Sequence, residues 1–512
     1  MTKGVKREPG ERPSGVKAPV LGAGRAGVWL LVLGLMWSGG GAMVFAALRV
    51  ENFDFEPPSW EGAHHRSTFF EARQVIQDFG YSPATGKAGG RTGEIGGRIQ
   101  PAAEKAYYGY PLPSEQNLDS PMSAEGLLYV EPGGGHCLLG FFRAGTLEGW
   151  RTPNTLAVRI NGRGHTFHCH LEYCTSRWRA NAGVAGEIVP GERVTATELV
   201  SGRSYAWKLD YEPEGSDGNG MLRFVLSDVE GGTAWCAVLP EHRADGAVFD
   251  HFGIVPVMKA WDGAGEIWVD NVKVNGVAFE FNEDPGWAAE GNRSEYITND
   301  TRPKFDFGWS PTQYAGGEKP GELGGLIFRG DCREPERMAC YGDRIARLTL
   351  EDPIEASGKV VMLRGVSDST ASIGFYHAEH SMWSNPSQKH AIPMDYLGIN
   401  IEGPSSEGFF FYPVYRTHGD AAKAATRGES ELPRIYPDGK AHDWAFRYDP
   451  AGAGGNGRIT VRLDGQECRL ELEAGDREAG ATFNRFGICT PWIDGNSVRA
   501  YFDDLKYSCS AE

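Results

Sequence analysis

No stretch after residue 50 repeats apolar residues at helical spacing, so a helical body is excluded. No C-x-x-C or C-x-x-C-H occurs, which leaves finger-type structural zinc, thioredoxin-like redox chemistry and haem attachment without support. The glycines follow no G-X-Y period, so collagen is excluded. Positive charge is in deficit: 51 Lys and Arg stand against 68 Asp and Glu, a formal charge of −17. A phosphate backbone is repelled by such a surface, so nucleic acid is not the expected partner. No P-loop Lys-Ser/Thr follows a glycine-rich turn.

Glycine is abundant, at 70 of 512 residues, with 30 Pro, 14 Trp, 19 Tyr and 25 Phe. That composition suits many turns joining short strands, and the length suits two domains. Residues 1–25 are basic, and an uncharged run then extends from Ala26 to Leu48, strongest over Gly27–Trp37. Small residues follow near Ala46, the pattern of a secretory signal; uncut, the run is long enough to span a bilayer. Either reading puts the remaining chain outside the cytoplasm, secreted or held at the cell envelope, with a membrane as partner if the segment is retained. Nine cysteines follow, an odd number, in a compartment that permits disulfides; Cys332 and Cys340 could close a loop.

The chain is written twice. Phe53-Asp-Phe-Glu56 recurs as Phe279-Glu-Phe-Asn282, and Asp78-Phe-Gly-Tyr-Ser-Pro83 as Asp306-Phe-Gly-Trp-Ser-Pro311. Gly93-Glu-Ile-Gly-Gly97 recurs as Gly321-Glu-Leu-Gly-Gly325. Trp207, Tyr211, Pro213 and Gly218-Asn-Gly220 match Trp444, Tyr448, Pro450 and Gly455-Asn-Gly457. Phe249-x-x-Phe-Gly-Ile254 matches Phe483-x-x-Phe-Gly-Ile488, and Asp270-Asn271 matches Asp503-Asp504. The expected organisation is an N-terminal segment over 1–47 and two homologous domains over 50–277 and 278–512. Alternation in Ile459-Thr-Val-Arg-Leu463, the Asp464-Gly465 turn and the returning Cys468-Arg-Leu-Glu-Leu472 predict all-β copies, each an antiparallel sandwich.

The order W-x-x-x-Y-[DE]-P-x-G, G-N-G, a hairpin, F-x-x-F-G-I and a last strand with Asp-Asp or Asp-Asn resembles the concanavalin A-like (LamG-like) jelly rolls of secreted proteins. The resemblance covers both copies and implies two tandem jelly-roll sandwiches. That superfamily holds lectins, carbohydrate-binding modules, glucanases and polysaccharide lyases, so the fold leaves the activity open. It also implies a calcium ion tying first strand to last, for which Glu56 with Asp270, and Asp503 in the second copy, are the candidate ligands.

The strands around Leu156–Asn161 and Thr166–Tyr173 place Arg159 with Asn161, and His168 with His170 and Glu172, on single faces. Arg163, Tyr173 and Trp178 lie nearby. Arginine recognises carboxylate or sulfate and aromatic rings stack on sugars, so the cluster points to an anionic polysaccharide. In the second copy Asn400 and Glu402 fall at the places of Arg159 and Asn161, with Arg416 on the next strand. The compact E-x-D-x-x-E glucanase signature is absent. A lyase needs a base, for which His168, His170 or Tyr173 serve, and Arg or Asn to neutralise a uronate. The expected function is recognition of an extracellular polysaccharide. A lyase or glycosidase working from the first copy, and an envelope protein without a small ligand, are the alternatives. The repeated Gly-Glu-[Ile/Leu]-Gly-Gly predicts a turn around a buried, hydrogen-bonded Glu94 or Glu322.

Overall fold

Alternation and turn chemistry act as the sequence predicts. In the strands Arg458–Leu463 and Gln466–Glu471, the side chains of Ile459, Val461, Leu463, Cys468 and Leu470 enter the core. Between them Asp464 and Gly465 take φ of 48° and 85°, the two left-handed residues that a two-residue hairpin needs. The computed structural model describes residues 47–67, 74–102, 104–147, 152–187, 195–257, 263–297, 304–365, 369–383, 391–405, 408–426, 431–493 and 495–509. The basic, apolar leader falls almost wholly outside them. No helix of the described residues is long and apolar enough to cross a membrane.

The chain is all-β, arranged as two antiparallel sandwiches. In the first, one sheet runs Ala180–Val184, Thr166–Cys174, Thr155–Gly164, Gly133–Phe142, Val248–Pro256, Tyr107–Asn117 and Ala288–Glu290. It closes on a second sheet centred on Met122–Val130 and Gly265–Val274. In the second sandwich, the matching sheet runs Trp60–Ala63, Cys340–Thr349, Thr482–Cys489, Ser369–Tyr376, Tyr396–Ser405, Gly408–Arg416 and Ala422–Ala424. Its partner sheet is centred on Ser497–Cys509 and Ile354–Gly365. Each sandwich has its own apolar core.

Repeat and sandwich are out of step. Ala47–Glu51 pairs with Ser497–Cys509, and Trp60–Ala63 pairs with Cys340–Thr349. Phe53 and Trp60 are therefore buried in the second core, not the first. The first core takes the next copy of that motif: Phe281 and Trp287 are buried there, and Arg293–Ile297 pairs with Gln74–Ser82. The motif at Phe279 thus completes the sandwich whose last strand precedes it, and the motif at Phe53 completes the second sandwich. Burying one such aromatic is worth about 3 kcal/mol, so the swap carries substantial stability.

All nine cysteines are buried. Cys332 packs with Met338, Met394 and Trp492, whereas Cys340 lies directly across the sheet from Cys489. The loop closure between Cys332 and Cys340 is not the arrangement found.

Candidate functional site

The site is built on the outer face of one sheet in each sandwich. Leu156, Val158, Ile160, Phe167, Cys169 and Leu171 fill the first core. Alternation then turns Arg159, Asn161, His168, His170 and Glu172 to the opposite face. Register aligns them: Arg159 stands opposite His170, and Asn161 opposite His168. Arg159 Nε donates to Glu172 Oε2 at 3.1 Å, and only 14% and 8% of these two side chains remain exposed. His168 Nδ1 lies 3.1 Å from the carbonyl of Thr197, a contact the Nδ1–H tautomer makes. Asn161 Oδ1 is buried and accepts no hydrogen bond among the described residues. Arg163 sits exposed near the hairpin tip.

Three expected site residues, two of the first copy and one of the second, do not join the outer faces. Tyr173 falls on the core side, where its hydroxyl meets His242 Nδ1 at 2.9 Å and accepts the Leu239 amide at 3.1 Å. Burial holds that phenol above its ordinary range, so it is no proton acceptor for a surface ligand. Trp178 is 3% exposed, with a left-handed backbone at φ 65°, and offers no ring face to a sugar. Arg416 is 1% exposed; its Nη1 donates to the Ile392 carbonyl at 3.0 Å and its guanidinium lies 4.7 Å from the Trp492 ring. It staples a corner.

The equivalent face of the second sandwich carries different chemistry in the same register. Asn400 stands opposite Ser372 and Tyr412, and Glu402 opposite Thr370 and Phe410. Asn400 Oδ1 accepts the Ser372 hydroxyl at 2.7 Å. Arg329 Nη2 donates to Glu402 Oε1 at 2.5 Å and its Nε to Thr370 Oγ1 at 2.8 Å. The Tyr412 hydroxyl donates to the other Glu402 oxygen. The Glu402 side chain keeps 41% exposure. Both copies therefore present an arginine–glutamate pair beside an amide. Arg329 was not legible in the sequence, because it reaches this face from the end of Glu322–Phe328, a strand of the other sheet. Tyr412 follows from alternation once register is known.

The calcium pairing needs correction. Glu56 is exposed and lies between Phe53 and Trp60, on the segment that completes the second sandwich, whereas Asp270 belongs to the first. Asp270 and Asp503 remain buried at matching places, 3% and 0% exposed. Asp503 Oδ1 accepts the Asp504 amide at 2.7 Å, while its buried Oδ2 has no hydrogen-bond partner among the described residues. A Cβ on Gly317 would lie 1.9 Å from that oxygen, and one on Gly89 would lie 1.7 Å from Asp270 Oδ2. An orphaned carboxylate oxygen in a glycine-lined cradle is compatible with a hard cation.

Glu94 and Glu322 are fully buried, as their motif predicts. Glu94 accepts the amides of Lys87 and Ala88 at 2.9 and 2.8 Å, and Glu322 those of Tyr314 and Ala315 at 3.1 and 2.8 Å.

No family model matches the chain, and no curated protein does. Among solved structures it is similar to the alginate lyase Aly36B, at 11% identity and a TM-score of 0.25 over 40% of this chain and 88% of that one. It is similar to the Emp47p carbohydrate recognition domain, at 10% identity and a TM-score of 0.25 over 42% and 90%. Mouse laminin α1 domains LG4-5 align over 86% of this chain and 98% of theirs, at 10% identity and a TM-score of 0.22. Likenesses of this size carry no argument about ligand or reaction.

Proposed function

We propose that the two outer sheet faces bind a polysaccharide outside the cytoplasm, the chain being exported or held at the envelope by its apolar leader. The observation that carries the reading is Asn161 Oδ1, a buried acceptor without a donor among the described residues, on a face that also holds Arg159, Glu172, His168 and His170. A buried acceptor left unmade is costly, and a shift of the side chains around it would let a sugar hydroxyl supply the missing donor. Arg159 and Arg329, already turned toward carboxylates, suit a uronate or sulfate ester. Asp270 and Asp503 would hold a hard cation that stiffens each sandwich.

Gel electrophoresis through a panel of neutral and anionic polysaccharides tests the reading. The protein is expected to be retarded by an anionic member. Asn161→Ala should weaken retardation about ten-fold, the worth of one buried polar contact. Repeating the gels with calcium and with a chelator checks the cation: calcium should tighten retention in the wild type and not in the double variant Asp270→Ala, Asp503→Ala. If no polysaccharide retards the protein, the reading fails and the ligand-free envelope protein stands. Unsaturated sugar ends, lost in His170→Ala, would make the first face a lyase site.

A further inference from the structure

We propose that His380, Asp395 and His418 form a binding site for a divalent transition-metal ion of the zinc class. The three residues come from separate parts of the second sandwich: the turn after Ser369–Tyr376, the residue before Tyr396–Ser405, and the loop after Gly408–Arg416. One ligand atom from each lies within 4.8 Å of the other two. His380 Nδ1 and His418 Nδ1 converge on the same oxygen, Asp395 Oδ2, at 2.5 and 2.9 Å. The carboxylate is fully buried, whereas the imidazoles keep 36% and 59% exposure, so the site is open to solvent on the histidine side. Two imidazoles and a carboxylate are a borderline donor set that favours zinc or cobalt over calcium. Three protein ligands leave a fourth position for water or a ligand group. The His377 ring stacks on His380, centroids 3.8 Å apart and planes at 12°, which restrains that ring.

The duplication supplies an internal control. Asn154 occupies the place of Asp395: each precedes the matching strand and each is left-handed, at φ 57° and 52°. The Asn154 amide donates to the Thr175 carbonyl, and the Asp395 amide to the Thr417 carbonyl. Asn154 Oδ1 accepts the Val248 amide at 3.0 Å, and Asp395 Oδ1 accepts the Thr482 amide at 3.3 Å. The next corner also matches, since the amides of Ser176 and His418 donate to the carbonyls of Gly246 and Gly480. The structural duty of this residue is thus discharged by Oδ1 in both copies. Only the second side-chain atom differs. In the first copy it is Asn154 Nδ2, donating to Thr146 Oγ1 at 3.2 Å; in the second it is a carboxylate oxygen facing two histidines. The fold does not require that carboxylate or those imidazoles, and the inference stands independently of polysaccharide binding.

The test uses the full chain freed of metal. Titration with Co2+ should give the visible bands of a four-coordinate nitrogen–oxygen site, and competition against a chromophoric chelator should show one Zn2+ bound per chain. His418→Ala should weaken Zn2+ about ten-fold or more. The triple variant His380→Thr, Asp395→Asn, His418→Ser rebuilds the corner of the first copy, so it should fold while losing the Co2+ bands. Absence of the bands in the wild type, or Zn2+ affinity unchanged in the triple variant, overturns the proposal.

Discussion

His65 shows how one side chain ties titration to architecture. Its ring packs against Tyr341 and Phe307, with centroids 4.9 and 6.1 Å away, and its carbonyl accepts the Phe307 amide at 3.0 Å. Burial, with a lesser push from the Arg66 charge, lowers its pKa from 6.5 to about 4. The native state therefore holds a neutral imidazole where the unfolded chain would take a proton. That contribution to stability is complete above pH 6.5 and is lost as pH falls toward 4. Urea midpoints measured across this window should fall less steeply with acid in His65→Phe than in the wild type; parallel slopes would show that His65 is not a source of acid sensitivity. The same scale explains why residue type misleads. Tyr173, Trp178 and Arg416 have the chemistry of a sugar site, but each is spent on packing or a corner.

At the scale of the element, the repeated Gly-Glu-[Ile/Leu]-Gly-Gly joins a loop to a strand. Glu322 opens the strand Glu322–Phe328 and gathers the loop amides of Tyr314 and Ala315, together with the Thr312 hydroxyl at 2.5 Å. The paired glycines that follow let neighbouring backbone come close: a Cβ at Gly325 would lie 2.1 Å from the Asp306 carbonyl oxygen. Glu322→Leu strands the buried Ala315 amide and the part-buried Tyr314 amide and should cost about 2 to 4 kcal/mol in chemical denaturation. Glu322→Gln keeps one acceptor oxygen and should cost less. Equal losses in the two variants would mean that shape, not hydrogen bonding, holds the loop.

At the scale of the whole molecule, the N-terminal motif binds the beginning of the chain to its last sandwich. Phe53 and Trp60 enter that core, the Phe53 carbonyl accepts Trp309 Nε1–H at 3.0 Å, and Arg49 pairs with the buried Asp343, which also accepts the Tyr507 hydroxyl at 2.6 Å. Deletion of residues 47–67 should therefore unsettle the distant second sandwich while sparing the first, which has its own copy of the motif in Phe281 and Trp287. Hydrogen exchange should show lost protection in Ser497–Cys509 and retained protection in Gly265–Val274; the reverse pattern would refute the exchange of motifs.

Much of this was readable from the chain alone. The duplication, the all-β class, the Asp464-Gly465 hairpin, the buried Glu94 and Glu322, and the shared face of Arg159, Asn161, His168, His170 and Glu172 all rest on local rules. Turn residues set φ, and a strand sends alternate side chains to opposite faces whatever lies beyond it. Tertiary structure alone decided the rest: that the motif at Phe53 serves the second sandwich, that Arg329 meets Glu402 across two sheets, and that His380, Asp395 and His418 converge. Those facts depend on contacts between residues far apart in sequence, and alternation names two faces of a strand without saying which neighbour covers either of them.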